Sequence, residues 1–222
     1  MSVQTIWQSA LYKFGQAPDN SRFADDFYSS LNAAQRAFCT VRQWGFLRTS
    51  GSVASVEDAR TVALPSGFGT FYDNDNSAFI TAPTANVGTR IVIMTHEEWL
   101  GSENYDDGTE TGTPAYGFLL GDYLNLSPIP DAAYTIELTY FRRPTMIYDT
   151  SSSLIIPDVY EEALRKLVWR RLQDSGYSSV QELQISDMDI ARLLNDFARD
   201  DVRRYGGMTV NLRRSTYSRR TT

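Results

Sequence analysis

Apolar residues recur every third or fourth position at both ends of this chain and every second position through its middle. That change of period constrains the fold more than any other feature, because a helix repeats every ~3.6 residues and a strand every two. The cleanest alternation is Tyr134–Phe141: Tyr134, Ile136, Leu138 and Tyr140 share one face, while Thr135, Glu137 and Thr139 share the other. Two strands precede it, Ala115–Leu120 and Tyr123–Leu126, joined across Gly121-Asp122. Glycine at the first central position suits a two-residue type II′ turn. The three strands read as antiparallel, with Pro128-Ile129-Pro130-Asp131 as a wider turn before the third, since two prolines fix φ and remove two donors.

Upstream, Gly51–Val56, Arg60–Leu64, Gly67–Tyr72, Ala78–Thr81 and Arg90–Met94 read as short strands separated by Gly, Pro, Asn and Asp clusters. Such spacing predicts a β-sandwich or barrel. Asp73-Asn74-Asp75-Asn76 reads as a hairpin turn, His96–Leu100 as one helical turn, and Ser102–Thr113 as a polar, acidic surface loop.

The flanks are helical. Ile6–Phe14 carries Ile6, Trp7, Ala10, Leu11 and Phe14 at helical spacing. A longer helix runs from about Ala24 to Arg42, with Ser21 as its candidate cap and Asp25 and Asp26 in its first turn. Its stripe is Phe27, Leu31, Ala34, Phe38 and Val41, and Trp44, Phe46 and Leu47 extend the apolar surface. After the middle segment, Pro157 stands as a first helical residue, followed by the stripe Val159, Ala163, Leu164, Leu167, Val168 and Leu172, with Gly176 ending the helix. A last helix starts near Ser186-Asp187 and reaches Tyr205, with Ile190, Ala191, Leu194, Phe197, Ala198 and Val202 inward. Four amphipathic stripes must each pack on something. The fold class expected is α+β: a four-helix bundle of residues 1–48 and 145–205, an antiparallel β-sandwich or barrel inserted at 49–144, and an extended basic arm over 206–222.

At 222 residues, 42% hydrophobic and 22% charged, the chain has ordinary globular composition. No apolar run is long enough to span a membrane, and the N-terminus lacks the pattern of a signal peptide. Cys39 is the single cysteine and reads as a small buried hydrophobe. The net charge of −6 hides a division: Phe68–Asp131 holds ten acidic residues and one arginine, Arg90, whereas the segment after Gly207 has four arginines and no acid. Such parts attract each other or face different partners.

Constellations for chemistry are mostly missing. His96, the single histidine, lies in THEEW, which is not the zinc-binding HExxH, and no Gly-x-Ser-x-Gly elbow or P-loop occurs. Carboxylates are the abundant acid/base groups; Glu97-Glu98 and Asp106-Asp107 are the candidates for glycoside chemistry or cation binding, and solvated surface is the simpler reading of adjacent acids. The expectation is therefore no catalytic residue, no metal and no cofactor. The basic tail, with Tyr217 among its arginines, suits nucleic acid or a groove on a partner protein, and overall acidity favours the protein.

The run PAYGFLLGDYLNLSPIPDAAYTIELTYFRRPTMI, followed by LIIPDVYEEALRKLVWRRL, resembles the head-to-tail adaptor (connector) proteins of short-tailed bacteriophages, and the N-terminal FADDFYSSLNAAQRAF resembles that family's helix bearing L-x-x-L-N-x-A-Q. The resemblance covers most of residues 1–205. It implies a non-enzymatic virion protein, made in the host cytoplasm, in which a helical bundle carries an inserted β-sandwich. Such proteins form a homo-oligomeric ring, usually a dodecamer, between the portal protein and the tail nozzle, and DNA passes through the channel without sequence-specific binding. The resemblance assigns the portal contact to the arm, here Arg213, Arg214, Tyr217, Arg219 and Arg220. The rival reading is a carbohydrate-binding or carbohydrate-active β module using Tyr72, Tyr105, Tyr116 and Tyr123 with the acidic loops. A DNA-binding protein is a third.

Overall fold

A computed structural model of the chain describes residues 2–101, 109–178 and 187–205. The architecture is α+β. Two helices, α1 (Val3–Phe14) and α2 (Ser21–Thr40), lead into strands β1 (Arg48–Ala54), β2 (Thr61–Ala63), β3 (Phe68–Phe71), β4 (Ala78–Ala82) and β5 (Val92–Met94). A short helix, α3 (His96–Leu100), follows, then β6 (Thr111–Gly112), β7 (Tyr116–Leu120), β8 (Tyr123–Ser127), β9 (Ile129–Pro130) and β10 (Thr135–Arg142). Helices α4 (Glu161–Asp174) and α5 (Asp187–Tyr205) complete the described chain.

The helices have the predicted inner faces with local differences. α2 starts earlier than expected: Asn20, not Ser21, is the cap, accepting a hydrogen bond from the Phe23 N–H at 3.2 Å. That shift moves Asp25 and Asp26 out of the first turn, and Asp26 accepts from the Tyr177 hydroxyl at 2.7 Å. Val41 is exposed because α2 ends at Thr40. Pro157 stands outside α4, with extended backbone, and a single 3-10 turn (Asp158–Tyr160) separates the two. That turn leaves Val159 exposed. α4 ends as its Gly176 predicts: Gly176 N–H bonds Gln173 O and Tyr177 N–H bonds Leu172 O, the paired pattern that caps a helix through a left-handed residue. On α5, Ala191 and Val202 face solvent, and the buried positions near its end are instead Ala198, partly, and Asp201.

The strands form two four-stranded sheets and a two-stranded one, β6 with β9. One has β10 at its centre, β1 along one side and β3 and β4 end to end along the other. The other has the order β2-β8-β7-β5. Gly121 sits at φ 62 between β7 and β8, and it alone of the two central turn residues has positive φ, as a type II′ turn requires. β10 alternates as predicted, but it joins the other sheet, so Pro128–Asp131 carries the chain between sheets and does not form a turn within one. The Asp73–Asn76 stretch is not a hairpin turn either; β3 and β4 both run antiparallel to β10, so it interrupts one edge. The expectation of purely antiparallel pairing fails at β5 with β7 and at β6 with β9, which are parallel. A long excursion through α3 separates β5 from β7, which is what parallel pairing needs.

Two cores result. Residues such as Ile80, Ile93, Leu124, Leu126, Ile136, Leu138 and Tyr140, from both sheets, form one cluster. The other joins α1, α2, α4 and the segment after α2, including Trp44 and Phe46, with α5 packed partly against it. β10 reaches both: Tyr140 is buried in the sheet cluster and Phe141 in the helical one, and the register slips immediately after Phe141.

Candidate assembly surface

The helical pattern L-N-x-A-Q on α2 has a clear physical use. Asn32, almost fully buried, donates to the Ile147 carbonyl at 2.7 Å and accepts from the Ile147 N–H at 2.8 Å. Gln35 donates to the Thr145 carbonyl at 2.8 Å. Two side chains thereby satisfy an extended segment that has no strand beside it. Ile147 inserts into the core, and the alternation turns Met146 and Tyr148 out to solvent, Tyr148 at 73% exposure.

A second polar lock holds α5. Asp201 is 2% exposed, accepts from the Gly45 N–H at 3.0 and 3.2 Å through its two carboxylate oxygens, and lies 3.6 Å from Arg42 Nη2. Arg42 also donates to the Ala198 carbonyl at 2.8 Å and packs over the Trp44 ring. Gly45 has no room for a side chain, since a Cβ would overlap Tyr205 Cβ and Cγ. Burial, with the Asp201 charge nearby, pushes the Tyr160 hydroxyl up to about 12. Sequence reasoning missed Asp201; the signal was its place on the α5 stripe, at helical spacing from Phe197 and Ala198.

The predicted portal-contact residues Arg213, Arg214, Tyr217, Arg219 and Arg220 lie outside the described residues, as do Tyr105, Asp106 and Asp107. What the structure locates is their point of departure, the end of α5 against Gly45. Trp44 and Phe46, apolar residues beyond the helical stripes, do not serve an external surface: both are buried, Trp44 stacked on Phe38 with centroids 4.7 Å apart. Exposed apolar side chains lie elsewhere, among them Tyr12 on α1, Met146 and Tyr148, and the Leu120–Tyr123 pair at the tip of the β7–β8 hairpin.

Several acidic and aromatic residues of the β region have structural occupations, whereas Tyr123 is exposed. Glu98 accepts from the Thr95 N–H at 2.7 Å while Thr95 Oγ1 accepts from the Glu98 N–H at 3.1 Å, a reciprocal cap that holds the Glu98 carboxyl below the usual carboxylate range. Asp73 bonds the Asn76 amide and the Asp75 N–H, which lowers it likewise. His96 lies against Phe118, and Trp99, buried, stacks on the same ring. Tyr72 lies under the Arg48 guanidinium at 4.6 Å, and Tyr116 packs near Trp99. Cys39 is buried, and burial pushes its thiol up to about 12. A cleft of about 380 Å³ between Gly67, Gly69 and Leu119 brings Asp122 and Arg143 to its walls, not a pair of carboxylates. Among the described residues no group of three His, Cys, Asp or Glu stands close enough to hold a metal, and no helix is long and apolar enough to cross a membrane.

No curated protein matches the chain. A family model, described as SU10 adaptor protein, matches residues 1–214, nearly all of it. Helices at both ends, a β region between them and a match of that extent lead to one assignment: this chain belongs to the SU10 adaptor protein family and is a bacteriophage head-tail adaptor.

Proposed function

We propose that this adaptor is a structural virion protein that assembles as a ring, a dodecamer, between the portal and the tail nozzle and lines the channel through which DNA leaves. In this reading residues 1–48 and 145–205 work as a four-helix bundle, 49–144 as an inserted β-sandwich and 206–222 as an arm. The arm carries the portal contact through Arg213, Arg214, Tyr217, Arg219 and Arg220. The observation that supports it most is the family match over residues 1–214. A purely basic arm leaving one end of α5, on a chain whose β region is acidic, suits a head-to-tail contact in which unlike patches meet.

The test is electron microscopy of the full-length protein mixed with the portal of the same virion. The expected result is a closed ring on the portal face that points to the tail. A variant with Arg213, Arg214, Arg219 and Arg220 all changed to Ala should bind the portal about tenfold more weakly or worse, with an unchanged urea midpoint. A wild-type protein that ignores the portal defeats the whole reading; undiminished binding by the variant removes only the arm from it.

A further inference from the structure

Among the described residues two charged side chains are buried, Lys13 at 9% exposure and Asp201 at 2%. Their situations differ. Asp201 has the Gly45 N–H and the Arg42 guanidinium as partners. Lys13, on α1, has no carboxylate and no hydrogen-bond acceptor among the described residues. Its Nζ lies instead over the Trp169 ring of α4, 5.8 Å from the centroid. A ring face holds a cation less firmly than a carboxylate does, and a buried charge without a counterion is costly. Arg165 approaches the same ring with Cζ at 5.3 Å, and its own carboxylate, Glu161, stands off at 3.6 Å. Arg165 Nε and Trp169 Nε1 have no acceptor either. A lysine, an arginine and an indole N–H thus gather at one ring between α1 and α4, short of negative charge. Beside them Tyr12 is 86% exposed.

The acidic middle of the chain carries the complement. Of the acids described there, Asp73 and Glu98 hold their own turns, Asp131 accepts from the Tyr134 hydroxyl, and Glu110 is engaged. Asp75, Glu97 and Asp122 keep carboxylates that make no hydrogen bond or ion pair. Asp75 stands between asparagines, and Glu97 between His96 and Glu98. Asp122 stands at the β7–β8 turn, beside Leu120 and Tyr123, which face each other across the hairpin and are both more than half exposed. A charge flanked by apolar side chains on a projecting turn has the makeup of an interface anchor. We propose that the β7–β8 tip of one copy docks on the α1–α4 site of the next, with the Asp122 carboxylate at Lys13 and Arg165 and with Leu120 and Tyr123 against Tyr12. In its own chain the tip borders residues 64–69 and Arg143, none of them on α1 or α4. The contact rests on the ring reading above and names the two surfaces that meet. They are unlike patches, one from the sheet half and one from the helical half, so the contact is head-to-tail and repeats around a ring.

The test counts rings of the full-length protein on the portal by electron microscopy. Asp122→Lys, at an exposed turn, should lower ring occupancy about tenfold or more, with the urea midpoint of the free protein unchanged. Lys13→Met should weaken the rings as much, yet leave that midpoint unchanged or higher, because an apolar side chain of similar length removes an unpaired buried charge. A lysine that served only its own fold would lower the midpoint when replaced. Direct contact is read by mixing Tyr12→Cys copies with Asp122→Cys copies and adding a short bismaleimide. Cross-linked dimers should form in the mixture and far less in either variant alone, since Cys39 is buried. Full rings from Asp122→Lys, a lowered midpoint for Lys13→Met, or no cross-link in the mixture would each overturn this contact and leave the ring standing. No ring from the wild type would defeat the ring reading, and this contact with it.

Discussion

The two cores of this protein are held by different means. In the sheet region the ladders take most backbone groups, buried Ser55 and Ser77 accept from the Tyr134 and Asp73 N–H groups, and the interior is dominated by Ile80, Ile91, Leu124, Leu126, Ile136 and Leu138. In the helical region, an extended segment and a helix end approach α2 and the stretch beyond it with backbone groups that no ladder can take. Buried polar side chains meet them: Asn32 and Gln35 at residues 145–147, and Arg42 with Asp201 where α5 meets Gly45. Trimming an aliphatic side chain leaves a gap that its neighbours can partly close. A polar lock has no such recourse, because removing one partner leaves the other buried without water. The helical half should accordingly fail through its polar residues and the sheet half through its apolar ones.

The strongest challenge to this contrast is Asp201→Ala. It leaves the buried Arg42 guanidinium without its carboxylate and the Gly45 N–H without its acceptor, and should cost about 4 kcal/mol by urea unfolding. A loss below about 1 kcal/mol would show that the lock is dispensable. In the sheet core, Leu124→Ala should cost about 3 kcal/mol, with an unchanged slope on urea. Asn32→Ala should cost about 2 kcal/mol and expose residues 145–147 to faster hydrogen exchange, while the β10 amides keep their protection.

The smallest effect is an alkaline pH dependence that begins on the helical side, with Cys39. The folded Cys39 thiol is pushed up to about 12 from an ordinary 9.0, so above pH 9 the folded chain keeps a proton that the unfolded chain releases. Stability is full below pH 9 and should fall by at most about 1.4 kcal/mol per unit above it. Tyr160 adds its own loss only above its ordinary 10.0. Cys39→Ala should flatten the urea midpoint between pH 9 and 10; a slope that survives the substitution assigns it to other groups.

Much of the fold was legible because it depends on short-range pattern. The β7–β8 hairpin follows from glycine at the first turn position, the α4 terminus from Gly176, and the alternation of β10 from its own eight residues. What escaped were partnerships. β10 looked like the next strand after β8, yet it crosses to the opposite sheet, because nothing local distinguishes a two-proline turn from a two-proline crossover. Ser21 looked like a cap until Asn20, one residue earlier, proved to have the better placed side chain. Of the candidate site, the acidic loop carboxylates were visible as residues but not as occupied: only geometry reveals that Glu98 is engaged in its own helix cap.

The order of elements, the inward faces of α1, α2 and β10, and the separation of an acidic middle from a basic tail were determined by the sequence alone. Each depends on spacing within a few residues, where backbone geometry leaves little choice. The tertiary structure decided which strand shares a sheet with which, that Asn32 and Gln35 serve a segment more than a hundred positions away, and that Asp201 belongs inside. Those outcomes rest on where distant backbone groups come to lie, and a buried N–H or C=O selects its partner only after the chain has brought one within reach.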